Sequence, residues 1–536
     1  MARLSLGLDF STQSLTGVVL DIDTREIILS HSLDYRADER LVGFGIRNDY
    51  ICPPRVPGEA DQPPELFYKA LDTMLLDFKE AGLNPVDLAV INSSGQQHGH
   101  VYLNDQAPEI FSTLNNDDFN NGEDLVSLLA GSLAYGTAPI WRTSNTETQA
   151  DFMREHVGGK DRMIQLSGSN SPLRFTGAVI RRVGEQFPEA YEAARGIQLI
   201  SSLSSAVLTG NSNVPIDYGN ACGMSLMNYR GKNWDQELIE AAAFGLPGGA
   251  KGLRKKLPGL TSPASIVGSL AGYFSKKYEI HKECMVAAGS GDNPQTKVLV
   301  TDYLLSLGTS FVSMVSTDGQ SFDMNGFANA MYDGIGRPFM FGCRTNGAMV
   351  WDRVRAEYGL KKNEYLPAEK SLSVVKPGRR LFFWQPENES FPISGTLEQT
   401  RINYSEPTLG DDYAGIIDSS LAAVYLNSQN FSRESDEPLF VTGGAATSLE
   451  IVRRVVAIWN RRVIPVESGS AALGAAVSGA YAFLKAVDDP ADLENIIEGV
   501  LSRKKPVDPS TEDVYAYHGP DGYLNKYRVC QEKFLG

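Results

Sequence analysis

Two stretches of this sequence share one pattern, which is an apolar run, a short turn of Gly, Ser or Thr residues, and a second apolar run. The first, RLSLGLDFSTQSLTGVVLDIDTREIILSHSLDY, begins at residue 3 and predicts three antiparallel strands joined by tight turns. The second, DYLLSLGTSFVSMVS, begins at residue 302 and predicts a further hairpin. This repetition indicates a weak internal duplication and therefore two domains of similar construction.

Both halves predict mixed α/β structure. In the first, ELFYKALDTMLLDFKEAGL has helical spacing with Gly82 as a stop, and DLAVINSSGQQHGHVYL returns to strand, turn and strand. In the second, EPLFVTGGAATSLEIVRRVVAIWNRRVIPV predicts strand, glycine turn, helix and strand, and a helix of small residues follows. The polar FSKKYEIHKE precedes a new strand at CMVAAG, which predicts domains of 1–285 and 286–536. The less periodic stretches 104–139 and 355–437 are interpreted as loops and insertions.

The composition restricts the partners of the chain. Its 536 residues include 49 Lys and Arg against 65 Asp and Glu, and the net charge of −16 gives no general attraction to nucleic acid or anionic lipid. Any phosphate group must therefore be held by local structure. The most apolar run, 471–484, is shorter than the ~20 residues of a membrane span, and MARLSLGLDFSTQ carries charge and glycine too early for a secretion signal. We expect no membrane or nucleic-acid partner.

The cysteines favour a reducing compartment. They lie far apart and form no CxxC pair, which argues against a zinc site or a disulfide framework. The expected location is the cytoplasm. The five cysteines are Cys52, Cys222, Cys284, Cys343 and Cys530.

Three turns of small residues are candidates for binding phosphate or nucleotide. Asp9 ends a strand and precedes FSTQ, whose hydroxyl and backbone N–H groups lie at the mouth of a tight turn. LGTS at 307–310 repeats this arrangement, and TGGAATS at 442–448 places Gly443 and Gly444 between a strand and a helix. Each turn taken alone is more often only structural. The pair of hairpin turns in two similar halves nevertheless suggests a nucleotide held between two domains.

A polar cluster follows an apolar strand in SSGQQHGHVY. It places Gln96, Gln97 and His98 in a turn between glycines. Because amides and a neutral imidazole can both donate and accept hydrogen bonds, this cluster suits a ligand that carries hydroxyl groups. A single histidine is usually structural, but less often so in a polar turn of this kind.

Asp292, in GSGDNPQ, allows two interpretations. Asn293 could cap a helix whose first residue is Pro294, which would leave Asp292 as a structural turn residue. Alternatively, a carboxylate at the end of a strand could accept the proton of an attacking hydroxyl, as phosphoryl transfer to an alcohol requires.

Seven motifs occur along the chain in one order, and together they identify a family resemblance. They are GLDFSTQS, GQQHG, RFTG, IDYGNACGM, GSGDNP, SLGTS and TGGAATS. In this order the set resembles the FGGY carbohydrate kinases, from about residue 4 to residue 482, and is most similar to the xylulokinases among them. The resemblance implies two actin-like, ribonuclease-H-like α/β domains that flank a central active-site cleft, with ATP and Mg²⁺ as cofactors.

The resemblance also implies roles for individual residues. Asp292 would be the general base, Thr12 a catalytic residue of the first phosphate turn, and Asp9 and Asp292 the residues that hold Mg²⁺. The residues implied for ATP binding are Ser11, Thr12, Gln13, Gly308, Thr309, Gly443, Gly444, Ala445 and Ser448. The residues implied for sugar binding are Gln97, His98, Trp141, Arg174, Asp292 and Asn293.

Two positions depart from the family pattern. Trp141 is followed two residues later by Thr143, where relatives carry an acid. Ser448 stands where Asn is usual. The first departure leaves the identity of the sugar open, and the second bears on the contacts to adenine or ribose.

The resemblance implies an ATP-dependent kinase that transfers the γ-phosphate to the primary hydroxyl of a ketopentose, D-xylulose first, giving the 5-phosphate. Ribulose, a pentitol or glycerol is the alternative substrate within the family. A non-catalytic, ATP-gated binding protein on the same actin-like scaffold is the alternative of a different class, because fold alone does not fix function. The expected partners are a small-molecule sugar and ATP, and a homodimer is left open.

Overall fold

The computed structural model describes residues 2–116, 122–362, 364–389, 391, 395–432, 435–467, 470–490 and 492–535. Strands and helices alternate along this part of the chain. The strands are β1 (Leu4–Phe10), β2 (Ser14–Asp21), β3 (Ile27–Asp34), β4 (Asp61–Gln62), β5 (Leu88–Gly95), β6 (His100–Leu103), β7 (Ala138–Pro139), β8 (Gly196–Leu199), β9 (Ile216–Asp217), β10 (Met227–Asn228), β11 (Asn233–Trp234), β12 (Leu260–Thr261), β13 (Ile266–Ser269), β14 (Met285–Ala287), β15 (Ser290–Gly291), β16 (Tyr303–Leu307), β17 (Phe311–Ser316), β18 (Asn329–Tyr332), β19 (Pro338–Arg344), β20 (Leu381–Glu389), β21 (Gly395–Ile402), β22 (Leu439–Thr442) and β23 (Val463–Pro465).

The α-helices connect these strands and cover the sheets. They are α1 (Pro64–Glu80), α2 (Ala107–Ser112), α3 (Leu125–Leu128), α4 (Glu147–His156), α5 (Lys160–Ser167), α6 (Thr176–Gln186), α7 (Pro188–Ala193), α8 (Ile200–Thr209), α9 (Tyr218–Ala221), α10 (Gln236–Ala243), α11 (Gly249–Lys256), α12 (Gly272–Tyr278), α13 (Asp292–Val298), α14 (Ala348–Glu357), α15 (Tyr365–Ser373), α16 (Leu409–Ser428), α17 (Leu449–Trp459), α18 (Ala471–Ala486), α19 (Leu493–Val500), α20 (Thr511–His518) and α21 (Tyr523–Leu535).

The chain forms two compact units, and each combines separate segments. The first comprises Met1–Leu299, Ala330–Pro338 and Gly469–Val500, and the second comprises Val300–Asn329, Phe339–Ser468 and Leu501–Gly536. The boundary between these units is not a single division at residue 285. The strand β14 pairs in parallel with β5, and the late helix α18 packs on β1, so both belong to the first unit. Asp292 therefore lies in the same unit as Asp9.

The N-terminal hairpin lies at the centre of the sheet of the first unit. The strand order is β13-β14-β5-β1-β2-β3, with β15 also paired to β5. β1, β2 and β3 are antiparallel to one another in turn, as the sequence predicts. β1 also runs parallel to β5, which places Asp9 opposite Ser94. Because parallel strands end at the same edge of a sheet, the turn after β1 and the glutamine turn after β5 are neighbours.

Gly7 allows α18 to pack directly on β1. A Cβ atom at Gly7 would lie 2.1 Å from the carbonyl oxygen of Ala472 and 2.3 Å from the amide nitrogen of Ala476. The sequence AALGAAVSGA gives α18 a surface of small side chains, so the helix backbone can approach the strand this closely. This contact holds a helix from late in the chain on the N-terminal sheet.

The second unit repeats the strand arrangement of the first. β16 and β17 form the antiparallel hairpin expected from DYLLSLGTSFVSMVS, and β22 runs parallel to β16 as β5 does to β1. β19 pairs with β17, and β23 pairs with β22. In both units a hairpin turn therefore lies where a neighbouring parallel strand also ends, which supports the internal duplication.

The interpretation of 104–139 and 355–437 as loops and insertions is wrong where their described residues form helices and strands. The first stretch contains α2 and α3, and the second contains α15, β20, β21 and the long helix α16. Residues 117–121, 363, 390, 392–394 and 433–434 of these stretches lie outside the described part of the chain.

The helix α16 shows why periodicity is hard to recognise in this stretch. It is 20 residues long and begins with a capping box between Thr408 and Asp411. Polar residues such as Asp418 and Ser420 interrupt its apolar positions but are themselves buried. The hydroxyl of Tyr517 donates to Asp418 at 2.6 Å, so a partner distant in sequence compensates for burial of the carboxyl group.

No helix within the described ranges is both long and apolar enough to cross a membrane. All five cysteines are free thiols.

Candidate active site

Asp9 lies near the C-terminal end of β1, beside the parallel strand β5. Its Oδ1 atom accepts a hydrogen bond of 2.7 Å from the hydroxyl of Ser94. Burial raises the pKa of Asp9 to about 6, although the bond from Ser94 acts in the opposite direction. A partly buried carboxylate with a raised pKa is a group that a bound cation would stabilise. Ser94 was not identified from the sequence, and only its place at the end of a parallel strand could have indicated it.

The predicted phosphate turn after β1 is closed by short-range hydrogen bonds. The amide of Ser11 donates to the carbonyl of Ser14 at 3.0 Å, and the hydroxyl of Ser11 donates to the same oxygen at 2.9 Å. The carbonyl of Gln13 accepts from the amide of Tyr35 at 2.9 Å, while the side chain of Gln13 is exposed. The turn is thus fixed to both β2 and the end of β3.

Thr12, at the tip of this turn, is held by two larger side chains. Its hydroxyl donates to Oε1 of Gln96 at 3.1 Å and accepts from the indole Nε1 of Trp141 at 2.8 Å. Trp141 is predicted for sugar binding and Thr12 for phosphate binding, so the structure brings residues of the two predicted sites into direct contact.

His98 is arranged as a neutral hydrogen-bond acceptor. Its Nδ1 lies 2.8 Å from the carbonyl oxygen of Gly223, and because a carbonyl can only accept, Nδ1 carries the proton and Nε2 keeps a lone pair. Burial, followed by the charge of Arg174, lowers the pKa of His98 to about 3. The ring stacks on Phe175 with 4.4 Å between centroids. The predicted sugar residues His98 and Arg174 therefore lie close together, and His98 can accept a bond from a hydroxyl group.

Asp292 is the first residue of α13, and Gly291 occupies the cap position. This differs from the structural alternative, in which Asn293 would be the cap and Pro294 the first helical residue. The Oδ1 atom of Asp292 accepts from the backbone N–H of Asn293 at 2.8 Å and from its side-chain Nδ2 at 3.1 Å. The same Nδ2 donates to Oε1 of Gln97 at 2.9 Å. Asn293 therefore joins the carboxylate to the glutamine turn.

The two carboxylates influence each other electrostatically. Burial raises the pKa of Asp292 to about 7, and the second cause is the negative charge of Asp9. No group of three or more His, Cys, Asp or Glu side chains that could hold a metal ion is found among the described residues. Asp9 and Asp292 are two carboxylates that could hold a cation together with further ligands from substrate or water.

Thr143, the first departure from the family pattern, is a buried structural residue. Its hydroxyl donates to the carbonyl oxygen of Ala60 at 3.1 Å, and it is 1% exposed. A carboxylate here would face that carbonyl, and two acceptors cannot form a hydrogen bond. Threonine at this position therefore fits its surroundings, because its hydroxyl bond joins the segment of Trp141 to the residue before β4.

The second hairpin turn, in the second unit, is held by backbone groups. The carbonyl of Gly308 accepts from the amide of Ala348 at 3.1 Å, and that of Thr309 accepts from Met349 at 3.2 Å. These amides belong to the first turn of α14. The side chain of Thr309 is exposed.

The glycine turn after β22 packs against this second hairpin. Gly443 has φ +93° and ψ 171°, a conformation that glycine alone adopts readily. A Cβ atom at Gly443 would lie 2.6 Å from the carbonyl oxygen of Leu307, the last residue of β16. Gly444 and Ala445 follow in a 3-10 turn, Gly444–Thr447. The structure therefore brings together the predicted adenosine loop and the predicted second phosphate turn.

The hydroxyl of Ser448, the second departure from the family pattern, both accepts and donates a hydrogen bond within the protein. It accepts from the amide of Ile451 at 3.1 Å as the cap of α17, and donates to Oε2 of Glu369 at 2.5 Å. Glu369 lies on α15, within a stretch where the sequence predicted loops. It therefore could not have been placed beside the adenosine loop from sequence patterns.

Comparison with known proteins identifies the class to which this fold belongs. The chain superposes on a xyloylose kinase from Brucella ovis with a TM-score of 0.79 at 18% identity, covering 99% of each chain. It superposes on a ligand-bound xylulose kinase from Lactobacillus acidophilus with a TM-score of 0.78 at 17% identity, covering 99% of this chain and 98% of the other. The fold is that of the two-domain, actin-like carbohydrate kinases, as expected.

The sequence comparison points to the same kinases. Residues 122–298 match the N-terminal domain of the FGGY family of carbohydrate kinases. A probable D-xylulose kinase A from Aspergillus flavus is 27% identical over 99% of this chain and 97% of its own length. The resemblance to the FGGY carbohydrate kinases drawn from the seven motifs is therefore confirmed.

Proposed function

We propose that this kinase transfers the γ-phosphate of ATP to the primary hydroxyl of D-xylulose, giving D-xylulose 5-phosphate. The observation that carries the proposal is the connected group formed by Asp292, Asn293 and Gln97, with a neutral His98 in the same turn as Gln97. Relatives that align with almost the whole chain are named as D-xylulose kinases, which supports the choice of sugar.

Asp292 is proposed to act as the general base. The two bonds from Asn293 fix the orientation of the carboxylate, and a pKa of about 7 suits a group that takes a proton near neutral pH. The sugar hydroxyl would lose its proton to this carboxylate as its oxygen attacks the γ-phosphorus. His98 would accept a bond from another hydroxyl of the sugar through Nε2, and Arg174 and Trp141 would complete that site.

Asp9 and Asp292 fit a magnesium ion, because both supply carboxylate oxygens and burial raises the pKa of each, so that a nearby cation would stabilise the charged form. When bound, Mg²⁺ would supply positive charge to the phosphate groups during transfer. The two hairpin turns, residues 11–13 and 308–309, would bind phosphates. The adenosine side would be bound by Gly443, Gly444, Ala445 and Ser448. The free cysteines support a location in the cytoplasm.

The test is ADP release over a panel of D-xylulose, ribulose, pentitols and glycerol, with a sample that lacks sugar. We expect ADP release to depend on sugar and D-xylulose to give the highest kcat/KM. If kcat/KM for another compound is higher than for D-xylulose by about tenfold or more, the choice of sugar is overturned but the kinase class is not. Absence of any sugar-stimulated ADP release would instead favour the non-catalytic, ATP-gated binding protein.

A further inference from the structure

Gln62 lies beside the first phosphate turn although none of the seven motifs contains it. It is fully buried and belongs to β4, which pairs antiparallel with β7 so that Gln62 lies opposite Ala138. The adjacent Asp61 accepts a hydrogen bond of 2.5 Å from the hydroxyl of Thr137, which fixes the strand. The pairing brings Gln62 close to the segment that carries Trp141.

The side-chain amide of Gln62 forms hydrogen bonds through both its nitrogen and its oxygen. Its Nε2 donates to the carbonyl oxygen of Thr12 at 2.8 Å and to that of Tyr50 at 2.7 Å. Its Oε1 accepts from Nε2 of Gln96 at 2.6 Å. Since Gln96 in turn accepts from the hydroxyl of Thr12, the three residues form a closed ring of hydrogen bonds.

The two carbonyl partners fix the direction of every bond in this ring. A carbonyl cannot donate, so the nitrogen of Gln62 must face Thr12 and Tyr50, and its oxygen must face Gln96. Gln96 must then present its own oxygen to Thr12, whose hydroxyl proton is therefore committed to the ring. The remaining acceptor capacity of that hydroxyl receives the indole N–H of Trp141.

The bond from Gln62 to the Thr12 carbonyl also orients the turn backbone. The peptide group between Thr12 and Gln13 is planar and trans, so its C=O and N–H point in opposite directions. Holding the carbonyl toward buried Gln62 therefore turns the N–H of Gln13 away from the protein interior. That N–H is one of the groups through which the turn would bind phosphate.

We propose that Gln62 is a positioning residue for phosphoryl transfer, which fixes both the hydroxyl of Thr12 and the adjoining peptide of the first phosphate turn. This inference rests on the proposed function, because the turn has a phosphate to bind only if the chain is a working kinase. Gln62 itself contacts neither reacting group and acts through Thr12.

Gln198 provides a matched control for the loss of buried hydrogen bonds. It is also buried, and its Nε2 donates to two backbone carbonyls, those of Ser212 at 3.1 Å and Val214 at 3.0 Å. It contacts none of the predicted site residues through these bonds. Gln62→Met and Gln198→Met therefore each remove two bonds to backbone carbonyls at similar burial, and only the first also breaks the ring that holds the phosphate turn.

The experiment compares kcat, KM for sugar, KM for ATP and melting temperature for wild type and these two variants. We expect both variants to melt earlier, and only Gln62→Met to lose kcat, by about 10- to 100-fold, as misplaced catalytic groups do. The KM for sugar should change little. Equal and near-normal kcat in both variants would overturn the positioning role. Should Gln62→Met fail to fold, Gln62→Glu keeps the shape and the acceptor for Gln96, and the same loss of kcat is expected.

Trp141 gives a readout that does not need kinase activity. Subtracting the emission of the matching Trp141→Phe protein isolates the signal of Trp141 in each variant. Trp141 is 44% exposed, but its indole N–H is bonded to Thr12. A loosened turn should release this N–H to water, so the emission should shift to longer wavelength in Gln62→Met and not in Gln198→Met. If the wild type releases no ADP with any sugar, the proposed function fails, and this spectrum alone decides whether Gln62 holds the turn.

Discussion

The two hairpin turns occupy equivalent places in two similar sheets but are stabilised in different ways. In the first unit, Thr12 is surrounded by side chains and bonds to Gln96 and Trp141. In the second, the carbonyls of Gly308 and Thr309 bond to backbone amides of α14, and the side chain of Thr309 is exposed. The first turn therefore depends on which side chains surround it, and the second depends on how closely the backbone can pack.

This difference extends beyond the turns. The first unit holds the titratable groups with shifted pKa values that suit proton transfer and hydroxyl recognition, namely Asp9, Asp292 and His98. The site of the second unit consists mainly of glycine and backbone groups around Gly443. We therefore expect polar substitutions to affect turnover through the first unit, and an added Cβ atom to affect nucleotide binding through the second.

The largest effect should follow Asp292→Asn. The change keeps the size of the side chain but removes the proton acceptor, so kcat should fall by the ~10²–10⁴-fold assigned to general base catalysis. ATP affinity should change less, because the predicted adenosine contacts lie in the second unit. Steady-state kinetics and nucleotide titration measure the two effects separately.

Asp72→Asn is the matched control for this variant. Asp72 is a buried aspartate, and its carboxylate accepts from the hydroxyls of Tyr273 at 2.9 Å and Tyr278 at 2.6 Å, outside the predicted site. It should lower the melting temperature and leave kcat nearly unchanged. A near-normal kcat for Asp292→Asn would show that Asp292 is only a structural turn residue.

The next effect is expected from Gly443→Ala. The backbone conformation of Gly443 costs any other residue about 1–3 kcal/mol, and the new Cβ atom would meet the carbonyl of Leu307 at 2.6 Å. The glycine turn must therefore shift, which should raise the KM for ATP and lower the melting temperature while the KM for sugar stays similar.

Gly444→Ala tests the same chemical change one residue later. A Cβ atom at Gly444 has no protein neighbour within 4 Å, so this variant should keep a normal melting temperature, unlike Gly443→Ala. If both variants behave alike, close backbone packing is not what shapes the second site.

The sequence predicts those parts of the site that lie within short motifs. Asp9, Asp292 and the two hairpin turns follow apolar runs, so their strands and their position at strand ends could be inferred. The links between them could not, because Gln62 meets Thr12 only through the pairing of β4 with β7. No local pattern in ADQPPEL predicts a two-residue strand whose partner follows far along the chain.

The same limit explains the errors in the fold. The late helix α18 returns to the first sheet because Gly7 has no side chain, which is a long-range fit rather than a local signal. In 355–437, buried polar residues such as Asp418 disrupt the apolar period of α16, so the helix resembles a loop in sequence. Glu369, on the neighbouring α15, was missed for the same reason.

A smaller effect is expected on the pH dependence of the melting temperature of the ligand-free protein. The pKa of Asp292 rises from an ordinary 3.8 to about 7, so within this window the folded state holds a proton that the unfolded chain has released. The contribution of this group to the free energy of unfolding is fully present below about pH 4, and it is lost as the pH rises through about 7. In the presence of a chelator, melting temperatures at pH 5 and pH 8 should therefore differ more in wild type than in Asp292→Asn. An identical pH dependence in the two proteins would contradict the raised pKa.

The smallest effect is expected from Thr309→Ala, and its partner variant Thr12→Ala makes the comparison of the two turns direct. Thr309 contributes its carbonyl to the contact with Met349, and that group is retained in alanine, so kcat and the KM for ATP should stay within about twofold of wild type. Thr12→Ala removes a hydroxyl that bonds to both Gln96 and Trp141, so it should lower kcat clearly more. Both substitutions delete the same atoms from a threonine at a predicted phosphate turn, and only the surroundings differ. Equal losses of kcat would mean that the two turns work in the same way, through their hydroxyls, and would remove the distinction between a turn held by side chains and a turn held by backbone.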